Sequence, residues 1–352
     1  MSIATNTSPT RITVEGAGAA STIGSRPTQQ DQYTFLLPEN FSTKSGDQIA
    51  FFAVYDGHGS RKVSKHANEN IQRFLQESPE LGSGLYEEAI KEAIKKEEAE
   101  LLNDFRDGEE QFATTGSTAS LALLNLTQGF LVVGNLGDSH ILMADYNSSS
   151  QGATNIRRIT KSHKPGDSDE KNRIMDAGGV VNTDSGTERL GALNMSRALG
   201  DLQYKDPLIN SGTGPLNEAQ MRADVTASTD QQNLLSNEPY LTRVDLKDGS
   251  QHVLILTSDG VTNGLEDEII VHGLLTCYRS GLNATESAKY IVDEAADEPG
   301  SDNATCIAVF IGELNQVNLS YIMTLRQSRQ AQINKTCFDE TENVKPAVRK
   351  DP

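Results

Sequence analysis

The sequence predicts an α+β fold in which antiparallel β-sheets are covered by paired helices. Short, wholly apolar runs stop at Asp-Gly or Gly-Asp turns, as buried strands do. Strand-like runs cluster and helix-like segments come in pairs, which argues against the strict alternation of a doubly wound parallel sheet. Hydrophobic residues make up 36% of the 352, with 29 glycines besides, which is material for a sizeable core.

Residues 1–20 are small and polar and read as a mobile lead-in. Ile49-Ala-Phe-Phe-Ala-Val-Tyr55 is a continuous apolar run ending at Asp56-Gly57, hence a buried strand. Val63, Ala67, Ile71, Phe74 and Leu75 have the spacing of an amphipathic helix within 60–77. The stretch from Tyr86 to Phe105 repeats that spacing, with its many Glu and Lys residues assigned to the wet face. Ser117–Leu124 is strand-like, and Phe130–Val133 and Ile141–Met143 flank Gly134-Asn-Leu-Gly-Asp-Ser-His140 like the arms of a hairpin. A helix over 168–177 stops at Gly178-Gly179. Residues 203–232, rich in Pro, Gly, Asn and Gln, read as a long surface excursion. Val253–Leu256 is another buried strand, ending at Asp259-Gly260. Helices follow over 266–279 and 285–296, and Cys306–Ile311 is the last core strand. Residues 313–352 form a polar tail outside the core.

Lys and Arg number 31 against 49 Asp and Glu, a net charge of −18. That balance argues against sequence-independent nucleic-acid binding and against an anionic membrane surface. Cys277, Cys306 and Cys337 are odd in number and lack metal-type spacing, so neither a disulfide framework nor a cysteine zinc site is expected. A reducing interior, cytoplasmic, nuclear or both, is the simplest home. The first residues lack the apolar stretch of a secretory signal, and no run of about 18 apolar residues is available to span a bilayer.

The unusual pattern is positional. Asp56, Asp259 and Asp302 each sit where a core strand meets a chain reversal, and Asp138 lies at the 130–143 turn. Aspartate favours turns anyway. Four on core-strand turns of one fold would converge on one patch, and clustered carboxylates repel unless cations sit between them. Oxygen donors without cysteine suit Mg²⁺ or Mn²⁺. Two such ions about 3.5–4 Å apart hold a phosphoryl group and generate a nucleophilic hydroxide. The residues alone carry the reading to a carboxylate site for two divalent cations and no further.

Phe51-Phe-Ala-Val-Tyr-Asp-Gly-His-Gly59 closely resembles the signature of the metal-dependent protein serine/threonine phosphatases of type 2C. Thr115-Gly-Ser-Thr-Ala119, Gly134-Asn-Leu-Gly-Asp-Ser139, Ser196-Arg-Ala-Leu-Gly-Asp201, Leu256-Thr-Ser-Asp-Gly260 and Gly300-Ser-Asp-Asn-Ala-Thr305 resemble further motifs of that family, in its order. The resemblance implies a four-layer α/β/β/α sandwich, with two central antiparallel sheets flanked by helix pairs and a dimetal site at one end. It implies a catalytic domain over 21–312, with a flap subdomain at about 165–195 beside the active site. It gives Asp56 the role of bridging two Mg²⁺ or Mn²⁺ ions, and Gly57 offers its carbonyl to one of them. Asp259 and Asp302 complete the shell of the other, and Asp138 helps hold a third, weaker ion. His58 matches the general acid that protonates the leaving oxygen, and Arg26 matches the arginine that grips substrate phosphate. A hydroxide bridging the ions attacks phosphorus directly, so no covalent phosphoenzyme is needed. The logic is sound for each group: arginine is a forked, permanent donor, and histidine delivers a proton near neutral pH.

Two departures bear on activity. Gln30, ahead of Asp31, replaces the family's glutamate, and Asn263 replaces an aspartate linked to the metals. Two lost carboxylates predict weaker metal binding, by about 10–100-fold per site on the scale of changes around a metal's ligands. The two-metal core is expected to survive and the third site to weaken. Asp31 is retained as a partner of the ligands. The reading is a monomeric phosphatase of phosphoserine and phosphothreonine in proteins, with phosphoproteins as its partners and neither nucleic acid nor membrane. The alternatives are a catalytically weak relative that binds phosphoproteins or regulates, and a hydrolase of small phosphate esters.

Overall fold

The computed structural model describes residues 12–146, 152–183, 186–209, 233–246 and 251–312. Two five-stranded antiparallel sheets form the centre. One runs in the order Val14–Thr22, Ala304–Ile311, Gln251–Thr257, His140–Tyr146 and Ala153–Arg158. The other runs Tyr240–Asp245, Phe130–Leu136, Ala119–Asn125, Ile49–Tyr55 and Gln32–Leu36. Helices Lys62–Glu77 and Tyr86–Arg106 cover the second sheet, and Asp267–Arg279 and Ala284–Ala296 cover the first. This is the four-layer sandwich expected.

The strands read as unbroken apolar runs because both faces are buried. Phe51, Ala53 and Tyr55 pack under the helix pair, whereas Ala50, Phe52 and Val54 point into the seam between the sheets. Val253 and Ile255 face the other helix pair, and Leu254 and Leu256 face the seam. Each fully buried side chain of this size contributes about 1.5–3 kcal/mol. The helix Ala284–Ala296 is opened by a capping box, Asn283 with Glu286, which satisfies two otherwise orphaned amide donors.

Several expectations need correction. The mobile lead-in set at 1–20 is overturned from residue 14, because Val14–Thr22 pairs with the last strand along its length. Its small residues are a packing device. A Cβ on Gly16 would lie 2.6 Å from the Tyr278 hydroxyl, and one on Gly18 would lie 2.3 Å from the Thr285 amide. Residues 1–11 lie outside the described residues. The 130–143 hairpin is also overturned: Phe130–Leu136 and His140–Tyr146 belong to different sheets, and Gly137-Asp138-Ser139 is the corner between them. A chain reversal looks the same locally whichever partners its flanking strands choose.

Glu97 and Glu98 do not lie on the wet face of their helix. Glu97 is fully buried against His66, and Glu98 pairs with Lys205. Within the expected excursion at 203–232, Gln203, Tyr204 and Lys205 are buried, and 210–232 lie outside the described residues, as does the tail at 313–352. Gln32–Leu36, Ala153–Arg158 and Tyr240–Asp245 are strands that hydrophobic patterning missed; all lie at sheet edges, half exposed, where apolar runs are not required. The flap segment carries the helix Ser168–Asp176 and a small core of its own around Ile174, Leu190 and Leu235. Glu170 anchors it, accepting from Ser196 at 2.7 Å and from Arg197 Nη2 at 2.5 Å. No helix among the described residues is long and apolar enough to cross a membrane.

Candidate active site

Three close backbone approaches bring distant segments together at one end of the sandwich. A Cβ on Gly24 would lie 2.2 Å from the Asp302 carbonyl, one on Gly57 would lie 2.5 Å from the Gln30 carbonyl, and one on Gly260 would lie 2.0 Å from the Asn303 carbonyl. Only glycine permits these contacts. Asn303 then ties the first loop down. It accepts the Gln30 amide at 2.8 Å and donates to the carbonyls of Ile23 and Thr28 at 2.8 and 3.0 Å.

The result is a set of facing carboxylates. Asp56 ends its strand with its amide donating to Thr118 Oγ1 at 3.1 Å. Its carboxyl faces that of Asp259. Burial, then the charges of Asp31, Asp259 and Asp138, hold the Asp56 carboxyl well above the usual range. Burial first, with Asp259 and Asp302 adding, pushes Asp31 up to about 6, although Thr305 donates to it at 2.7 Å. Asp259, at the start of the turn Asp259–Thr262, is likewise pushed up to about 6 by burial and then by Asp138 and Asp302. Asp302 accepts from Arg26 Nη2 at 2.5 Å, and Asp138 pairs with Lys164.

These five aspartates come from five separate stretches, yet among the described residues no three His, Cys, Asp or Glu side chains stand together as a ready cation cage. Two cationic side chains, Arg26 and Lys164, draw Asp302 and Asp138 to themselves. The donor chemistry still fits a hard divalent cation. Asp31 Oδ1 and Asp138 Oδ1 are buried without a hydrogen-bond partner among the described residues, and carboxylates that cannot ionise together are the groups an added cation stabilises.

His58 lies beside this cluster, two residues beyond Asp56. Its Nε2 stands 2.5 Å from Asp201 Oδ2, and Asp201 is 1% exposed. Arg26 is 55% exposed and pairs with Asp302. Gly57 carries its carbonyl in a two-residue strand, Gly57–His58, paired with Gly116–Ser117. Gln30 is half-buried, with its carbonyl accepting from Ser64 at 2.5 Å. Asn263 is exposed and lines an open cleft of about 380 Å³ with Arg158 and Asp267.

The model of the protein phosphatase 2C family matches residues 20–304. The chain belongs to the protein phosphatase 2C family. Probable protein phosphatase 2C 45 of Oryza sativa subsp. japonica is 31% identical over 293 residues, covering 83% of this chain and 86% of that protein. Probable protein phosphatase 2C member 13, mitochondrial, of the same plant is 33% identical over 298 residues, covering 83% of this chain and 67% of that one. Among solved structures, serine-threonine phosphatase 2C from Toxoplasma gondii superposes with a TM-score of 0.67 at 22% identity, over 86% of this chain and 99% of that one. As a protein phosphatase 2C, the chain is a metal-dependent enzyme that removes phosphate from proteins.

Sequence reasoning named Asp56, Gly57, His58, Asp138, Asp259, Asp302 and Arg26, all of which belong to this end of the phosphatase. It missed the partners. Asp201 and Asn303 sit inside motifs already recognised, and Lys164 follows His163 in Ser162-His-Lys-Pro165. His163 is buried against Gly137 at the corner bearing Asp138. Burial and Arg197 push its imidazole down to about 4, so it stays neutral and structural.

Proposed function

We propose that this phosphatase acts on phosphoserine and phosphothreonine in proteins with Mg²⁺ or Mn²⁺, two ions per site and a third held weakly. The observation that carries the reading is the convergence of Asp31, Asp56, Asp138, Asp259 and Asp302; the carboxyls of Asp31, Asp56 and Asp259 are raised first by burial and then by neighbouring aspartate charge. Asp56, the Gly57 carbonyl, Asp259 and Asp302 would hold the two ions, and Asp138 the third. Bound ions of this class draw electron density from phosphoryl oxygens and from water, which opens phosphorus to direct attack.

The chain's own groups supply the rest. Arg26 orients the phosphate through a forked guanidinium. His58 donates a proton to the departing serine or threonine oxygen, and Asp201 fixes the ring. The weak-catalyst alternative rests on Gln30 and Asn263; the exposure of Asn263 and the intact aspartates weigh against it. We place the enzyme in the cytosol, the nucleus or both, as a monomer with phosphoprotein substrates.

Phosphate release from phosphoserine and phosphothreonine peptides, and from small phosphate esters, tests the reading with Mn²⁺ and with chelator. Turnover of the peptides that needs the metal is expected. Peptide binding without turnover under millimolar Mn²⁺ overturns the assignment in favour of a binding module.

A further inference from the structure

We infer that Glu98 and Lys205 are positioning residues, whose buried ion pair holds the turn that aims Asp201 at His58. The inference rests on the reading of His58 as proton donor.

Lys205 is 2% exposed and Glu98 13%. Lys205 Nζ donates to Glu98 Oε1 at 2.7 Å and to the Ala198 carbonyl at 2.8 Å. Glu98 Oε2 accepts the Gly200 amide at 3.2 Å. The pair therefore grips the backbone on both sides of Leu199, immediately before Asp201. Gly200 and Asp201 both adopt left-handed backbone, with φ of 72° and 47°. Aspartate visits this region more readily than most non-glycine residues but still at a cost, which the bonds around the turn offset. The Asp201 amide donates to the Thr115 carbonyl at 2.8 Å, which pins the turn from its other side. A rotation at Gly200 would swing the Asp201 carboxylate away from His58 Nε2. Buried ion pairs add little to stability compared with apolar packing, whereas the bonds of this pair fix the backbone on both sides of Leu199. The helix Tyr86–Arg106 thereby reaches the chemistry through one side chain.

Leaving-group dependence separates this role from general support of the fold. p-Nitrophenolate departs without a proton, whereas the oxygen of serine needs one. With Mn²⁺ saturating, Glu98→Gln and Lys205→Met are expected to lower kcat on a phosphoserine peptide at least about 10-fold. Their kcat on p-nitrophenyl phosphate is expected to stay within about 3-fold, with the Mn²⁺ requirement unchanged. Glu98→Gln keeps the size and an acceptor, so it guards against misfolding in Lys205→Met; thermal unfolding of both is followed alongside. Equal losses on the two substrates, or no loss on either, overturn the inference. His58→Asn is measured in parallel. If it shows the selective loss and Glu98→Gln does not, the inference fails and the proton-donor reading stands. If His58→Asn shows no selectivity, both fail.

Discussion

Gly116 packs directly against the contact between His58 Nε2 and Asp201 Oδ2: a Cβ at that position would lie 2.6 Å from the first atom and 2.2 Å from the second. A single added methyl group would therefore push the imidazole away from its carboxylate. Gly116→Ala is expected to lower kcat on phosphopeptides by about 10²-fold, the scale of lost general acid catalysis, with a smaller change in KM. Steady-state kinetics on the folded variant check this; an unchanged kcat would mean that the pair is not used.

Asp56 is held above the usual carboxyl range by burial and by its neighbours. A carboxyl whose folded value is raised binds a proton more readily folded than unfolded, so its stabilising share is lost as pH rises. In chelator near pH 7, Asp56→Asn removes this repulsion and should raise Tm. The same variant should lose all turnover, and also the rise in Tm that Mn²⁺ gives the parent. Differential scanning calorimetry with and without Mn²⁺ reads both effects.

Gln30→Glu and Asn263→Asp restore the carboxylates that the family resemblance implies at these positions. A Mn²⁺ titration of activity should shift to lower concentration by about 10-fold for at least one of them. The exposure of Asn263 makes Gln30→Glu the stronger of the two. Identical titration curves for parent and both variants would show that these substitutions do not set metal affinity.

Gly260→Ala places a methyl group 2.0 Å from the Asn303 carbonyl, so one of the two backbones must shift. A destabilisation of about 1–3 kcal/mol is expected, as for an overpacked interior, together with lost activity, because Asn303 holds the loop that carries Arg26. Urea unfolding gives the first quantity and phosphate release the second.

Glu170 is held down to about 2 by Arg197, Ser196 and Arg173, in spite of its burial. With the folded value below the unfolded 4.5, the unfolded chain binds more protons between about pH 2 and 4.5. Its stabilising share is complete above about pH 4.5 and lost as pH falls through that window, on the order of 3 kcal/mol in all. Glu170→Gln should flatten that part of the stability–pH curve measured by denaturant unfolding.

The central strands were legible because burial on both faces writes an unbroken apolar run, as at Phe51–Tyr55 and Val253–Leu256. The edge strands were not, since one row of side chains meets water and the first relies on glycines that look like loop. The Asp138 corner was misread as a hairpin because partner choice depends on residues more than a hundred positions away. Individual aspartates stood out at strand ends, whereas Asp201, Glu98 and Lys205 did not. Their significance lies in contacts across the fold, and Glu98 sits in a helix whose charge pattern looks solvated.

The first strand, Val14–Thr22, is sewn to the last, Ala304–Ile311, and Arg26 meets Asp302 across 276 positions of chain. During synthesis the sheet that holds these two strands therefore stays open until Ala304–Ile311 has emerged. A chain ended before Asp259 lacks two of the five clustered aspartates and the strand that closes the sheet.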